Sequence, residues 1–173
     1  EDGLLLAHLL RLAPDDRHAR FCGHLRDDSV IAFVHGLSWA QSLVLAAVEG
    51  GQVRAAALLA GLDPVAAGPA ELALSVERPW QGRGLGLALA RHTLALARNR
   101  GIADLRVLCL PDNIRMQRIV RRLSGELAFG HSEVDGQLRL AWPDALSWWQ
   151  EAVLESGAWL DRLRAHVGAA EAA

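Results

Sequence analysis

The stretch Glu71-Leu72-Ala73-Leu74-Ser75-Val76-Glu77-Arg78-Pro79-Trp80-Gln81-Gly82-Arg83-Gly84-Leu85-Gly86 decides how this chain is read. Glu71 to Val76 is short, mostly apolar and strand-like, whereas Leu87 to Arg100 is long, Ala/Leu-rich and helical. The glycines therefore sit where a strand turns into a helix. The first turn of a helix has backbone N–H groups without internal partners, and the macrodipole adds positive potential there. Gly82, Gly84 and Gly86 lack Cβ atoms, so a phosphate can approach the backbone closely. Arg83 can add a charge-assisted hydrogen bond of about 1.5–3 kcal/mol. A Walker A loop needs Gly-Lys-Ser/Thr, and the chain contains no lysine. A dinucleotide fingerprint needs a glycine where Leu87 stands. What matches is Gln-x-x-Gly-x-Gly over Gln81 to Gly86, unless the loop is only a glycine-rich βα turn.

Upstream, Asp2 is placed to cap an amphipathic helix over Leu4 to Leu12, and Pro14-Asp15-Asp16 starts a second. Asp27 and Asp28 can cap a third, which carries Val30, Ile31, Phe33 and Val34. The pattern then changes. Ser42 to Glu49 and Gln52 to Leu62 flank Gly50-Gly51 and read as a β-hairpin. Asp63-Pro64 and Gly68-Pro69 bound a loop before the strand Ala70 to Val76. Downstream, Gly101 ends the long helix, and Ile102 to Leu110 is a strand with Leu105, Val107 and Cys109 on one face. Asn113 caps a helix over Ile114 to Leu123. Two more strands, Glu126 to Ser132 and Gln137 to Trp142, are expected to join at Asp135-Gly136, a type I′ turn signal. Asp144 caps a last helix, on which Leu146, Trp149, Val153, Leu160, Leu163 and Val167 form a seam. That seam packs on its own domain or forms a homodimer contact. The domain is expected over 1–143, with a helical extension over 144–173. Helices, an antiparallel start and inserted helices make the class α+β rather than doubly wound.

With 173 residues and a net charge of −2, the chain can bury a core and lacks the basic field of a nucleic acid binder. Cys22 and Cys109 have neither metal-type nor disulfide-framework spacing. No apolar run approaches the roughly 18 residues of a membrane span, and no signal pattern opens the chain, so a cytoplasmic protein is expected.

The glycine loop and its flanks resemble the coenzyme A pyrophosphate loop of the GNAT N-acetyltransferase superfamily. Asn113-Ile114-Arg115-Met116, followed by Leu123-Ser124-Gly125, is similar to a second motif of that superfamily. The Leu9-to-Phe21 stretch also looks like the entry to the GNAT domains of bacterial protein-lysine acetyltransferases. The resemblance covers roughly Asp2 to Trp142. It implies a mixed, largely antiparallel sheet flanked by helices, with a first strand that would precede Glu1. It also implies acetyl-CoA as cosubstrate, no metal, and a primary amine of a small molecule or protein as acceptor. Gln81, Gly82, Arg83, Gly84, Leu85 and Gly86 would hold the pyrophosphate, Leu74 and Val76 the pantetheine arm and thioester, and Asn113 the same arm. A tyrosine often stands near position 120 in the superfamily to protonate the leaving thiolate, and this chain has none.

A lysine-type amine, with a pKa near 10.4, costs about 4.6 kcal/mol to deprotonate at pH 7. Glu71 is the expected general base. His18 and His131 are alternatives, Glu77 is expected on the loop surface, and Cys109 in the core. Arg78 and Arg83 could reach phosphates. Arg115, Arg118, Arg121 and Arg122 form a solvated helix face, from which one could meet the coenzyme's 3′-phosphate. A module that binds acyl-CoA without turnover is the competing reading.

Overall fold

In the computed structural model, which describes residues 2–62, 69–149 and 151–153, the N-terminal third is helical. It comprises α1 (Asp2–Arg11), α2 (Pro14–Phe21) and α3 (Asp27–His35). Strands β1 (Ser42–Glu49), β2 (Gln52–Ala60) and β3 (Ala70–Val76) follow, then α4 (Leu85–Asn99), β4 (Asp104–Cys109), α5 (Ile114–Arg122), β5 (Glu126–Phe129) and β6 (Val134–Arg139). The six strands form one sheet in the order β1-β2-β3-β4-β6-β5. Every pairing is antiparallel except β3 with β4. The architecture is the expected α+β one. Asp2 lies inside α1 rather than ahead of it, and α4 begins at Leu85, two residues before the expected Leu87.

Alternation along the strands sorts side chains to two faces. Ala55, Ala57, Leu59, Leu72, Leu105, Val107 and Cys109 pack with Leu89, Ala90, Ala97 and Val120 of α4 and α5. On the other face Ala56 and Val53 join Leu5, Leu9, Val30 and Val34 of α1 and α3. Val30 and Val34 are fully buried, as their three- to four-residue spacing requires.

The β3–β4 contact positions the site. Only Ala70↔Leu105 and Glu71↔Arg106 are paired, so the two strands part after Glu71. β3 stays paired to β2 up to Val76. The Glu77 N–H donates to the Arg54 carbonyl at 2.9 Å, on the β2 side. By strict alternation, the backbone groups of Leu74 and Val76 point the other way, into the gap.

The expected turn at Asp135-Gly136 is wrong. Both residues lie inside β6, paired with Leu108 and Val107 of β4, and the connection from β5 runs through 130–133. Asp135 instead forms an ion pair with Arg106 at 3.0 Å. A Cβ on Gly136 would meet the Val120 methyls at 3.1 and 3.2 Å, so this glycine serves close packing under α5.

The chain is helical over 145–149. The Ser147 N–H donates to Asp144 Oδ1 (2.8 Å), and the Asp144 N–H donates to Ser147 Oγ (3.1 Å), a reciprocal cap. The Ser147 hydroxyl also donates to Asn99 Oδ1 of α4 at 2.6 Å. Leu146, Trp149 and Val153 of the expected seam are exposed. Leu160, Leu163 and Val167 lie outside the described residues, as does the loop over 63–68.

Candidate active site

A cavity of about 420 Å³ opens where β3 leaves β4, within the size range of small-ligand clefts. Leu74, Ser75 and Val76 form one wall, Gln81 to Gly86 without Arg83 a second, and Asn113, Arg115, Met116, Arg118, Ile119 and Arg122 a third. Asp16, Ala19 and Arg20 of α2 close it. Of the expected coenzyme residues, Leu74, Val76, Gln81, Gly82, Gly84, Leu85, Gly86 and Asn113 thus meet at one cavity, while Arg83 is exposed outside it.

Gly82 and Gly84 adopt φ of 72° and 84°, and no heavy atom stands within 4 Å of a Cβ built on either. This left-handed backbone brings the chain to the α4 terminus with no side chain over it. Gly84 caps α4 without a side-chain hydrogen bond, so the first-turn N–H groups remain open to an anion.

Gln81 fixes the loop. Its Nε2 donates to the Val76 carbonyl (2.9 Å) and to Asp16 Oδ1 (3.0 Å), and its Oε1 accepts from Arg115. One side chain therefore ties β3, α2 and α5 together at the cavity. Arg78 does not turn to the cavity; it pairs with Asp15 and Asp16 at 2.9 and 3.0 Å. Asn113 caps α5 through Oδ1, which accepts from the Met116 N–H at 3.1 Å. Of the arginine row, Arg115, Arg118 and Arg122 line the cavity and Arg121 does not.

Glu77 is not a surface residue. It is 7% exposed, and its carboxylate accepts from Arg11 Nε (2.9 Å), Arg54 (3.0 Å) and His8 Nδ1 (3.4 Å). Burial pushes its carboxyl up, but these hydrogen bonds outweigh that and hold it below the usual carboxylate range. The Arg54 guanidinium also lies 4.4 Å from the Trp80 ring centroid, so the network props the residue just before the glycine loop. Partners at His8, Arg11 and Arg54 are remote in sequence, which is why Glu77 read as exposed.

Glu71 is exposed and sits on the β3 face turned toward α1–α3, opposite Arg106, outside the cavity lining. Nearby, Arg20 is half-buried over the rings of Phe21 (4.8 Å) and Phe33 (5.6 Å). Desolvation pushes the Arg20 guanidinium down to about 10, against the pull of the Glu71 carboxylate. Burial pushes the Cys109 thiol up to about 11, in keeping with a core cysteine. His18 stacks on His24 with centroids 4.1 Å apart, and His131 is exposed; neither lines the cavity. Val120, near which the resemblance places a tyrosine, is 1% exposed. Sequence reading missed Asp16, Arg20, Ser75 and Trp80; the dense polar run from Asp15 to Phe21 was the one available signal.

A sequence model of the acetyltransferase (GNAT) family matches residues 5–125. The chain belongs to this family. An acetyltransferase of Pseudomonas aeruginosa is 28% identical over 99 residues, which span 55% of this chain and 53% of that one. The chain thus matches about half the length of that relative. Among solved structures, the GNAT domain of S. lividans PAT has a TM-score of 0.67 at 26% identity, covering 80% of this chain and 85% of that one. The ribosomal-protein-S18-alanine N-acetyltransferase of Escherichia coli shares the fold, with a TM-score of 0.60 at 18% identity over 82% of this chain and 90% of that one.

Proposed function

We propose that this chain is an acetyl-CoA-dependent N-acetyltransferase that moves an acetyl group to a primary amine of a small molecule or protein by direct attack on the thioester. The observation that carries the reading is the parted β3–β4 pair, whose open cavity joins unpaired strand backbone to an uncapped helix terminus. The pyrophosphate would sit on the N–H groups of Gln81 to Gly86, with Arg83 and Arg115 supplying charge. The pantetheine arm would run beside Leu74 to Val76 as an added strand, flanked by Asn113. A backbone N–H of Leu74 or Val76 would receive the carbonyl oxygen as negative charge develops on it.

Glu71, exposed on the α1–α3 face of β3 and outside the cavity lining, would take the first proton from the ammonium through water. Replacing Glu71 with Gln is expected to lower kcat by about 10²–10⁴-fold while acetyl-CoA binding persists. The assay is thiol release, with calorimetry as the binding control. Unchanged turnover removes Glu71 from the mechanism. Binding without turnover on any amine favours the non-catalytic acyl-CoA module instead.

A further inference from the structure

Amide formation from an ammonium and a thioester removes two protons from nitrogen. One goes to solvent, and the other must leave after the C–N bond forms; one proton must also reach the departing sulfur. No donor can stand at position 120, because Val120 is buried and packed against Gly136. A different hydroxyl is at hand.

Ser75 lies on β3 between Leu74 and Val76 and lines the cavity. Its Oγ is 2.8 Å from Nε2 of His8, and His8 Nδ1 is 3.4 Å from Glu77 Oε1. A carboxylate only accepts, so Nδ1 carries the ring proton and Nε2 accepts from the Ser75 hydroxyl. With its proton given to Nε2, the oxygen of the largely buried Ser75 keeps lone pairs free to accept a further proton. His8 is fully buried, and desolvation outweighs the attraction of Glu77, so the ring is held below its ordinary 6.5 and is neutral near pH 7. The charges facing it are Glu77, Arg11 of α1 and, across Glu77, Arg54 of β2; the Val53 carbonyl faces it as well.

Resting on the acetyl-transfer reading above, we propose that Ser75, backed by His8 and Glu77, shuttles the second proton from the acceptor nitrogen to the departing sulfur. The amine lone pair forms the C–N bond, and the carbonyl π pair moves to oxygen. The nitrogen's proton passes to Ser75 Oγ as the serine proton moves to His8 Nε2, giving an imidazolium beside Glu77. Return of the oxygen pair restores C=O and expels the C–S pair onto sulfur. His8 then returns its proton to Ser75, whose other proton goes to sulfur. The products are amide and thiol, and the Ser75–His8 pair is as it began. Ser75 is the catalytic residue; His8 and Glu77 act through it.

The test uses the full chain, saturating acetyl-CoA and n-butylamine as the amine probe, with thiol release read in water and in deuterium oxide. Ser75→Ala is expected to keep the wild-type acetyl-CoA dissociation constant and lose about 10²–10⁴-fold in kcat. Ser75→Thr should restore most of that loss. His8→Gln can hold the serine but not its proton, so kcat should fall as far and the solvent isotope effect should vanish. A purely structural role for His8 would lower the melting midpoint and leave the isotope effect intact. Wild-type kcat in Ser75→Ala, or a folded, acetyl-CoA-binding Ser75→Thr no faster than Ser75→Ala, overturns the shuttle. A wild-type chain that binds acetyl-CoA yet releases no thiol overturns the transferase reading instead.

Discussion

Glu77→Gln removes one negative charge from a site where His8, Arg11 and Arg54 converge. Breaking a fully buried ion pair costs about 3–5 kcal/mol, and an exposed pair about 0–1. The Glu77 side chain is 8% exposed, but those of Arg11 and Arg54 are 36% and 20% exposed and can regain water. Glutamine also preserves shape and some hydrogen bonding. The cost should therefore lie near 2 kcal/mol at neutral pH. For a chain of this size that lowers the melting midpoint by about 4–8 °C.

The pH dependence gives a sharper check. Glu77 titrates below its ordinary 4.5 in the folded state, so its stabilisation is present above that value and lost as pH falls through the folded value. His8 is lowered too, so its contribution is complete above 6.5 and declines as acid forces the buried ring to charge. Without Glu77 the imidazolium loses its counter-charge, so the gap between wild type and Glu77→Gln should widen where pH falls through the lowered folded-state value of His8. Below about pH 4.5 it should then narrow, as wild-type Glu77 protonates. Differential scanning calorimetry across this range reads both windows. A gap under about 1 °C at neutral pH, or one that stays constant into acid, would refute the assignment of a buried charge hub.

Gly125→Ala should be among the worst single-methyl changes, because its Cβ would stand 2.7 Å from methyls of Val120 and Leu138 and 2.9 Å from the Gln137 carbonyl. A loss of about 1–3 kcal/mol in urea unfolding is expected, and a neutral result would contradict the packing of α5 on β6. Ser147→Ala removes the reciprocal cap and the bond to Asn99, and should cost about 1–2 kcal/mol locally. Faster amide exchange over 145–149, with no change in β2, is the expected signature.

Elements whose identity rests on local pattern were legible. The Gly50-Gly51 hairpin, the strand Ala70 to Val76, the Asn113 cap and the face shared by Leu105, Val107 and Cys109 all follow from residues near one another. The glycine loop was legible for the same reason: φ values of 72° and 84° are written as glycines. What failed depended on distant partners. Asp135-Gly136 carries strong turn chemistry, yet the Arg106 ion pair and the space needed by Val120 place it in mid-strand. Glu77 looked like a loop carboxylate until α1 and β2 brought His8, Arg11 and Arg54 around it. Ser75 gave no local sign, because His8, its partner, lies 67 residues away.

The central claim is that the cavity between β3, the glycine loop and α5 takes acetyl-CoA, and thermal unfolding with and without the coenzyme tests it most directly. At 100 times its dissociation constant a ligand adds about 2.7 kcal/mol, or roughly 5–11 °C here. Gly84→Asp, which sets a carboxylate at the α4 terminus where the phosphates would lie, should abolish the shift. Aspartate tolerates left-handed backbone better than most residues, so the variant should still unfold cooperatively. A shift in wild type that disappears in Gly84→Asp is the predicted result. No shift in wild type, or an equal shift in the variant, would contradict the account.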